Sequence, residues 1–187
     1  MKKAKQLGFE ILEIKNIKYF GGAYLKNSNP KGPRPLSIKR SLHLVLRSSM
    51  AKGSHSFLKR DKKIREIIGI QGKRHGVKIY RQANGGNHLH LIVLPRSRDA
   101  FNDFIRATTG IIARLVLNVE RGRAKNLQFW DKRPFTRIIE WGKEFAGVSR
   151  YLLKNTLEAL GFIPYQPRKG KSKMLESSVR STVASVT

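Results

Sequence analysis

Residues 84–95 restrict the fold of this chain more than any other stretch. Their sequence, NGGNHLHLIVLP, starts with Asn-Gly-Gly, alternates His and Leu over residues 88–91, and ends with an apolar run at Pro95. An Asn-Gly-Gly turn between two extended runs is typical of a β-hairpin. The preceding run, residues 77–83, supplies the partner strand. The pattern therefore predicts an antiparallel sheet that contains this hairpin.

Two histidines lie two residues apart in the second strand of the hairpin. Because successive side chains of a strand point to opposite faces, His88 and His90 share one face and Leu89 and Leu91 share the other. Two imidazoles on one face can bind one metal ion. The alternative is a pair of ordinary histidines on a half-covered sheet, and spacing alone favours that alternative. The choice between them depends on the rest of the chain.

The remaining elements predict an α+β fold. The spacing of apolar residues, and the glycines and prolines that interrupt it, predict the elements in chain order. A strand at 41–47 is followed by a helix at 59–75 that ends at Gly76, and then by the hairpin. After the hairpin come a helix from Ser97 or Asp99 to Gly122, an extended segment at 127–139 interrupted at Pro134, and a helix at 141–160.

This order matches a ferredoxin-like (RRM-like) antiparallel sheet with helices on one face, plus one extra C-terminal helix. In that plan the first and third strands, here residues 41–47 and the histidine strand, are neighbours at the centre of the sheet. His43, on the first strand, is then expected near His88 and His90, in a supporting or structural role. We predict three regions, namely a basic arm at 1–40 with Pro and Gly, a domain at 41–163 and a basic tail at 164–187.

Charge narrows the functional classes. Lys and Arg number 39 against 12 Asp and Glu, a formal net charge of +27, which predicts a polyanionic partner, with nucleic acid ahead of an anionic membrane. No apolar run approaches the roughly 18 residues of a membrane span. The absence of cysteine excludes disulfides and thiolate zinc sites and fits a cytoplasmic protein.

The distribution of acidic residues argues against one nuclease class. None lies between Ile14 and Arg60, and none between Ile67 and Arg98, so the histidine strand has no carboxylate close in sequence. Two-metal nucleases use several carboxylates to hold their ions. Only remote segments could supply them here.

The last predicted helix carries a second pair of polar residues. Tyr151 and Asn155 are four residues apart, and therefore lie on one side of the helix, at the border of its apolar stripe. If that stripe docks on the sheet, a phenol and an amide arrive beside the two histidines. Taken alone, the pair is more simply an ordinary Tyr on a helix edge and an Asn that weakens the helix slightly.

Together these residues resemble a known family. The chain is similar, over about 41–163, to the HUH endonucleases with a single catalytic tyrosine, specifically the REP-associated tyrosine transposases and their insertion-sequence relatives. It departs from them at Gly85-Gly86, where these proteins often show Met-Pro. The resemblance is carried by Asn87-His88-Leu89-His90-Leu91, Phe129-Trp130, Arg133-Pro134-Phe135 and Tyr151-Leu-Leu-Lys-Asn155.

The resemblance implies a metal-dependent single-strand DNA endonuclease and strand transferase acting on hairpin or single-stranded DNA. It implies that His88, His90 and Asn155 bind Mg²⁺ or Mn²⁺, and that Tyr151 is the nucleophile that forms a 5′-phosphotyrosine. Relatives occur as monomers and as homodimers, and both states stay open here.

Several basic residues are candidates for phosphate contact, with plain solvation as the alternative for each. A non-catalytic RRM-like module that binds single-stranded RNA or DNA is the main rival function, and Tyr80 is the one clear aromatic it would use on the strands. A replication initiator or relaxase is disfavoured by the short chain. The candidate DNA-binding residues are Arg47, Arg121, Arg123, Lys125, Arg150 and Lys154.

Overall fold

The computed structural model describes residues 20–21, 33–120 and 128–165. Its sheet has four main antiparallel strands and a two-residue edge strand, in the order β1-β5-β2-β4-β3. The first long strand lies between β5 and the histidine strand β4. This is the ferredoxin-like order, so the predicted fold class is confirmed. The strands are β1 Phe20–Gly21, β2 Ser41–Arg47, β3 Val77–Asn84, β4 His88–Pro95 and β5 Phe135–Ile139.

Within the described residues, three α-helices accompany the sheet, and their ends follow local signals. Ser97 caps one helix by accepting a hydrogen bond from the Ala100 amide at 3.1 Å. Gly76 ends another with φ +66°, a left-handed conformation that favours glycine. The helices are α1 Asp61–His75, α2 Arg98–Leu117 and α3 Lys143–Ala159.

Three predicted boundaries were wrong. Helix α2 stops at Leu117 rather than Gly122, because Asn118 already adopts the left-handed conformation, with φ +53°. The helix predicted from about Lys59 begins at Asp61, because Lys59 and Arg60 belong to the 3₁₀ turn Phe57–Arg60, which follows another at Gly53–His55. An extended segment was predicted at 127–139, but in its described part, residues 128–139, only the last five residues are strand.

One face of the sheet carries the main apolar core. Alternate residues of β2 and β4 are fully buried there under α1 and α2. Helix α2 contributes Phe101 and Phe104, and α1 contributes Ile64 and Ile68. The strand residues in this core are Leu42, Leu44, Leu46, Leu89, Leu91 and Val93.

Helix α3 covers the opposite face. Leu152 is 2% exposed and packs with Ala83, Ile92 and Ile139, which alternate with the core residues of their strands. A register irregularity between Ile79 and Arg81 marks a bulge. Leu152 holds the helix against β3, β4 and β5.

Part of the predicted N-terminal arm joins the sheet. Phe20 and Gly21 pair with Arg137 and Thr136 of β5. Arg34 donates to Thr136 Oγ1 at 2.9 Å. The limits of the three predicted regions stay a prediction, and most of the arm and of the tail lies outside the described residues.

Candidate active site

Three histidines meet on the face beneath α3. His43 Nε2 and His90 Nδ1 are 3.0 Å apart, and the two rings are stacked with centroids 5.2 Å apart. The centroids of the His88 and His90 rings are 4.8 Å apart, nearly perpendicular. His43 and His90 are buried and His88 is half-buried. The strand register explains why they meet. Val45 of β2 lies directly opposite His90, and His43, two residues before Val45, points to the same face.

The surroundings of His43 and His88 favour neutral imidazoles. Burial, and to a lesser extent the charge of Arg137, lowers the pKa of His43 to about 4. Burial, followed by the charge of Arg47, also lowers the pKa of His88. A neutral imidazole keeps one nitrogen lone pair, which is the form that binds a metal ion or accepts a hydrogen bond.

Gly85 makes room for the His88 ring. A Cβ atom on Gly85 would lie 2.4 Å from Cε1 and 2.5 Å from Nε2 of that ring. The next residue, Gly86, has φ +85°, which a side chain disfavours. His88 Nδ1 also lies 2.7 Å from Asn87 Oδ1, which orients the ring. The Gly-Gly pair that departs from the family pattern therefore has a steric reason in this chain.

Helix α3 brings Tyr151 to the histidines. The Tyr151 ring centroid is 5.6 Å from that of His90 and 6.3 Å from that of His43, edge-on to both. The packing of Leu152 positions this part of the helix. The phenol and the histidine pair, which are about 60 residues apart in sequence, thus share one site.

Asn155 lies one turn beyond Tyr151 on the same side of α3. Its Nδ2 is buried and makes no hydrogen bond among the described residues. A buried donor without an acceptor is costly, and turning the amide over would place the oxygen there instead. No hydrogen bond joins Asn155 to either His88 or His90 in the described part of the chain. Its role as a metal ligand stays a prediction.

Carboxylates do not supply a metal centre here. Within residues 33–120 and 128–165, no three His, Asp or Glu side chains form a group able to hold one ion. A metal at this site would therefore depend on His88, His90 and a neutral oxygen. The buried amide of Asn155 fits that requirement, because Mg²⁺ and Mn²⁺ favour oxygen ligands such as carbonyls.

Arg137 and Glu144 form a part of the site that sequence reasoning missed. Arg137 lies opposite His43 in the β2–β5 register and forms an ion pair with Glu144 in the first turn of α3. Glu144 also accepts a hydrogen bond from the Glu140 amide at 2.8 Å. The acid in the first turn of the helix was a visible signal, but its partner depends on the strand register.

The predicted DNA-binding residues are scattered. Arg47 is exposed, lies opposite His88, and has its Nε 3.5 Å from Asp131 Oδ2. Arg150 is exposed on α3, and Lys154 Nζ is 3.6 Å from Glu158 Oε1. Of these three described residues, only Arg47 lies next to a site histidine. The remaining three, Arg121, Arg123 and Lys125, lie outside the described residues.

Two residues of the family resemblance have structural roles. Phe129 is 4% exposed and packs in the main core. The Trp130 indole donates to the Thr109 carbonyl at 3.2 Å. Phe129-Trp130 thus attaches the segment before β5 to the core and to α2.

Comparisons with known proteins support the fold. No protein-family model matches the chain, and no curated protein matches it. Its fold is similar to that of a REP-associated tyrosine transposase solved bound to a REP hairpin, with a TM-score of 0.56 and 14% identity. The match covers 72% of this chain and 76% of the other. Of the helices that the structure describes, none has the length and apolar character needed to cross a membrane.

Proposed function

We propose that this protein is a metal-dependent single-strand DNA endonuclease and strand transferase of the HUH type, related to the REP-associated tyrosine transposases. One observation carries the proposal, namely the meeting of Tyr151 with the buried pair His43–His90 beneath α3. The similar fold of a transposase supports it. The proposed partner is hairpin or single-stranded DNA, which a net charge of +27 favours.

The proposed reaction is a transesterification by Tyr151. Its phenolic oxygen attacks the scissile phosphorus, a new phosphorus–oxygen bond forms, and the bond to the 3′ oxygen breaks. The phenol proton ends on the leaving 3′ oxygen, with solvent as carrier. The product is a 5′-phosphotyrosine and a free 3′-hydroxyl. Because the number of phosphoester bonds is unchanged, another 3′-hydroxyl can reverse the step, which is strand transfer.

Tyrosine needs help in this role, because its phenol titrates near pH 10. His88, His90 and Asn155 would hold Mg²⁺ or Mn²⁺. When bound, such an ion polarises a phosphate oxygen. For His90 to present its Nε2 lone pair, its Nδ1 must carry the hydrogen and donate to His43 Nε2, 3.0 Å away. His43 therefore orients the His90 ring, as outer partners of metal-binding histidines do.

The rival RRM-like binding module finds less support. Such a module stacks bases on aromatic side chains of an open sheet face. Here α3 lies over that face, and the Tyr80 ring packs against Trp141 and Phe145 with centroids 5.3 and 5.7 Å apart. Tyr80 is half-buried in that cluster.

The decisive experiment tests whether the DNA strand becomes covalently attached to the protein. Single-stranded DNA incubated with protein and Mn²⁺ should give a protein–DNA adduct on a denaturing gel, with a label 3′ of the cut retained by the protein. Tyr151→Phe should give no adduct. Tyr165→Phe, which removes the same oxygen from an exposed tyrosine outside both the site and its apolar cluster, is the control and should cut normally. Cleaved ends without protein, together with cutting by Tyr151→Phe, would identify water as the nucleophile and refute the proposal.

Metal dependence is tested separately. EDTA should stop cleavage and leave most DNA binding, since the phosphate contacts lie elsewhere. Mg²⁺ or Mn²⁺ should restore cleavage. Cleavage that persists in EDTA would remove the metal from the proposed mechanism, even if the tyrosine adduct forms.

A further inference from the structure

A groove of about 900 Å³ runs along β3, with lining residues from β3, from α1 and from the end of β4. In the described part of the chain, β3 is the outermost strand on this side of the sheet. Helix α1 forms the other wall and approaches closely at Gly72, where a Cβ would lie 2.9 Å from the Val77 carbonyl oxygen. At Gly69 the groove is open, because a Cβ there would meet no atom within 4 Å.

The walls of the groove are strongly basic. None of its lining residues is acidic, in keeping with the lack of Asp and Glu between Ile67 and Arg98. Arg65 is paired with Asp61 at 2.6 Å. Each of the other four cations is exposed and has no carboxylate within 4 Å in the described ranges. These four are Lys73, Lys78, Arg81 and Arg96.

The groove leads towards the candidate active site. Its lining extends along β3 from Val77 to Gln82, about 17 Å at 3.4 Å per residue. The next residue, Ala83, lies directly opposite His90 in the β3–β4 register. A chain that follows the groove therefore ends one strand away from the histidines.

We propose that this groove, between α1 and the outer edge of β3, binds the sugar–phosphate backbone of a single DNA strand next to the bond that is cut. Cations without carboxylate partners along one groove neutralise phosphates and release counterions, whereas a compact anion would contact only one or two of them. The proposal rests on the proposed function, since it names the surface that holds the substrate of the same site.

The first test changes one charge in the open part of the groove. Gly69→Glu places a carboxylate there, and Gly69→Gln places a neutral side chain of the same size. Binding is measured by fluorescence anisotropy with a labelled single-stranded oligonucleotide, in EDTA and in the Tyr151→Phe background. Gly69→Glu should bind several-fold more weakly than Gly69→Gln. Equal affinities would overturn the proposal.

The second test removes two cations and has a matched control. Lys73→Gln with Arg81→Gln should lower the slope of log affinity against log salt by about 1.4, at about 0.7 per phosphate. If the affinities converge at 1 M salt, the same relation predicts binding about 25-fold weaker at 0.1 M. Lys63→Gln with Arg74→Gln removes the same charge from exposed positions that do not line the groove. That control should keep the wild-type slope.

The outcomes separate this proposal from the proposed function. An equal loss of DNA affinity in both double variants would mean that the attraction is diffuse, and it would overturn the groove proposal. No loss in either would also overturn it. If the groove variants weaken binding but wild-type protein never forms the tyrosine adduct, the groove stands and the transposase reaction fails. Melting temperatures close to that of the wild type would exclude misfolding as the cause.

Discussion

The two faces of the sheet are built from alternate residues of the same strands, yet they differ in chemistry. Under α1 and α2, β4 contributes Leu89, Leu91 and Val93 to a large dry core. Under α3, it contributes His90 and Ile92 beside a small apolar cluster. One face carries most of the buried apolar side chains, and the other carries the polar groups of the candidate site. Side-chain alternation lets one strand meet both demands, so the two faces should respond differently to substitution.

The largest contrast is expected at adjacent positions of β4. Leu91→Ala should lower the free energy of unfolding by about 2–5 kcal/mol, because it opens a cavity in the main core. His90→Ala should reduce cleavage more than about 100-fold, since even outer-shell changes at metal sites cost about 10–100-fold. Urea denaturation and single-turnover cleavage measure the two effects. Large losses of stability in both variants would show that the histidine face is structural.

Leu152→Ala tests how firmly α3 is held. Leu152 is buried, but the cluster it joins is small, so we expect a cost of about 2 kcal/mol, at the low end for buried leucine. Cleavage should fall as well, because Tyr151 follows the helix. Leu153→Ala, at a neighbouring exposed position, is the control and should change neither. Reduced stability with unchanged cleavage would show that docking at Leu152 does not position the tyrosine.

His43→Ala probes the support of His90. Losing its partner should lower Mn²⁺ affinity about 10–100-fold, as for other outer-shell changes. His43→Gln, which can still accept a hydrogen bond, should recover part of the affinity. Isothermal titration calorimetry of Mn²⁺ into the protein without DNA measures this affinity independently of cleavage. Equal affinity in His43→Ala and the wild type would contradict the assigned role.

The smallest effect is expected at Gly85. In Gly85→Ala the new methyl group would overlap the His88 ring, so the ring must move. We expect cleavage to fall about tenfold, the lower end of the effect of a misplaced ligand. Gly147→Ala, where a Cβ meets nothing within 4 Å, is the control for the change itself. Unchanged cleavage in Gly85→Ala would show that the ring position tolerates this shift.

Local patterns predicted much of this molecule. The alternation in residues 84–95 placed both histidines on one face, and the order of elements gave the strand order. The 3.6-residue stripe of α3 and its Tyr151 were also visible. These features depend on periods of a few residues, which a single sequence displays directly.

Features set by long-range register were not visible. The strand order predicted His43 near His90, but their hydrogen bond depends on the register of β2 against β4. The Arg137–Glu144 pair depends on where α3 begins relative to β5. The stripe on α3 showed that one side is buried, but not which sheet face receives it. The pairing of Phe20–Gly21 with β5 also joins segments more than 100 residues apart.

The outer edge of β3 also bears on self-association. An uncovered strand exposes backbone donors and acceptors that can pair with a strand of another molecule. Here Lys78 and Arg81 lie on that edge and the bulge at Tyr80 interrupts its regularity. Two copies that met edge to edge would bring like charges together across an irregular ladder. The same cations that suit a polyanion therefore disfavour aggregation through this strand.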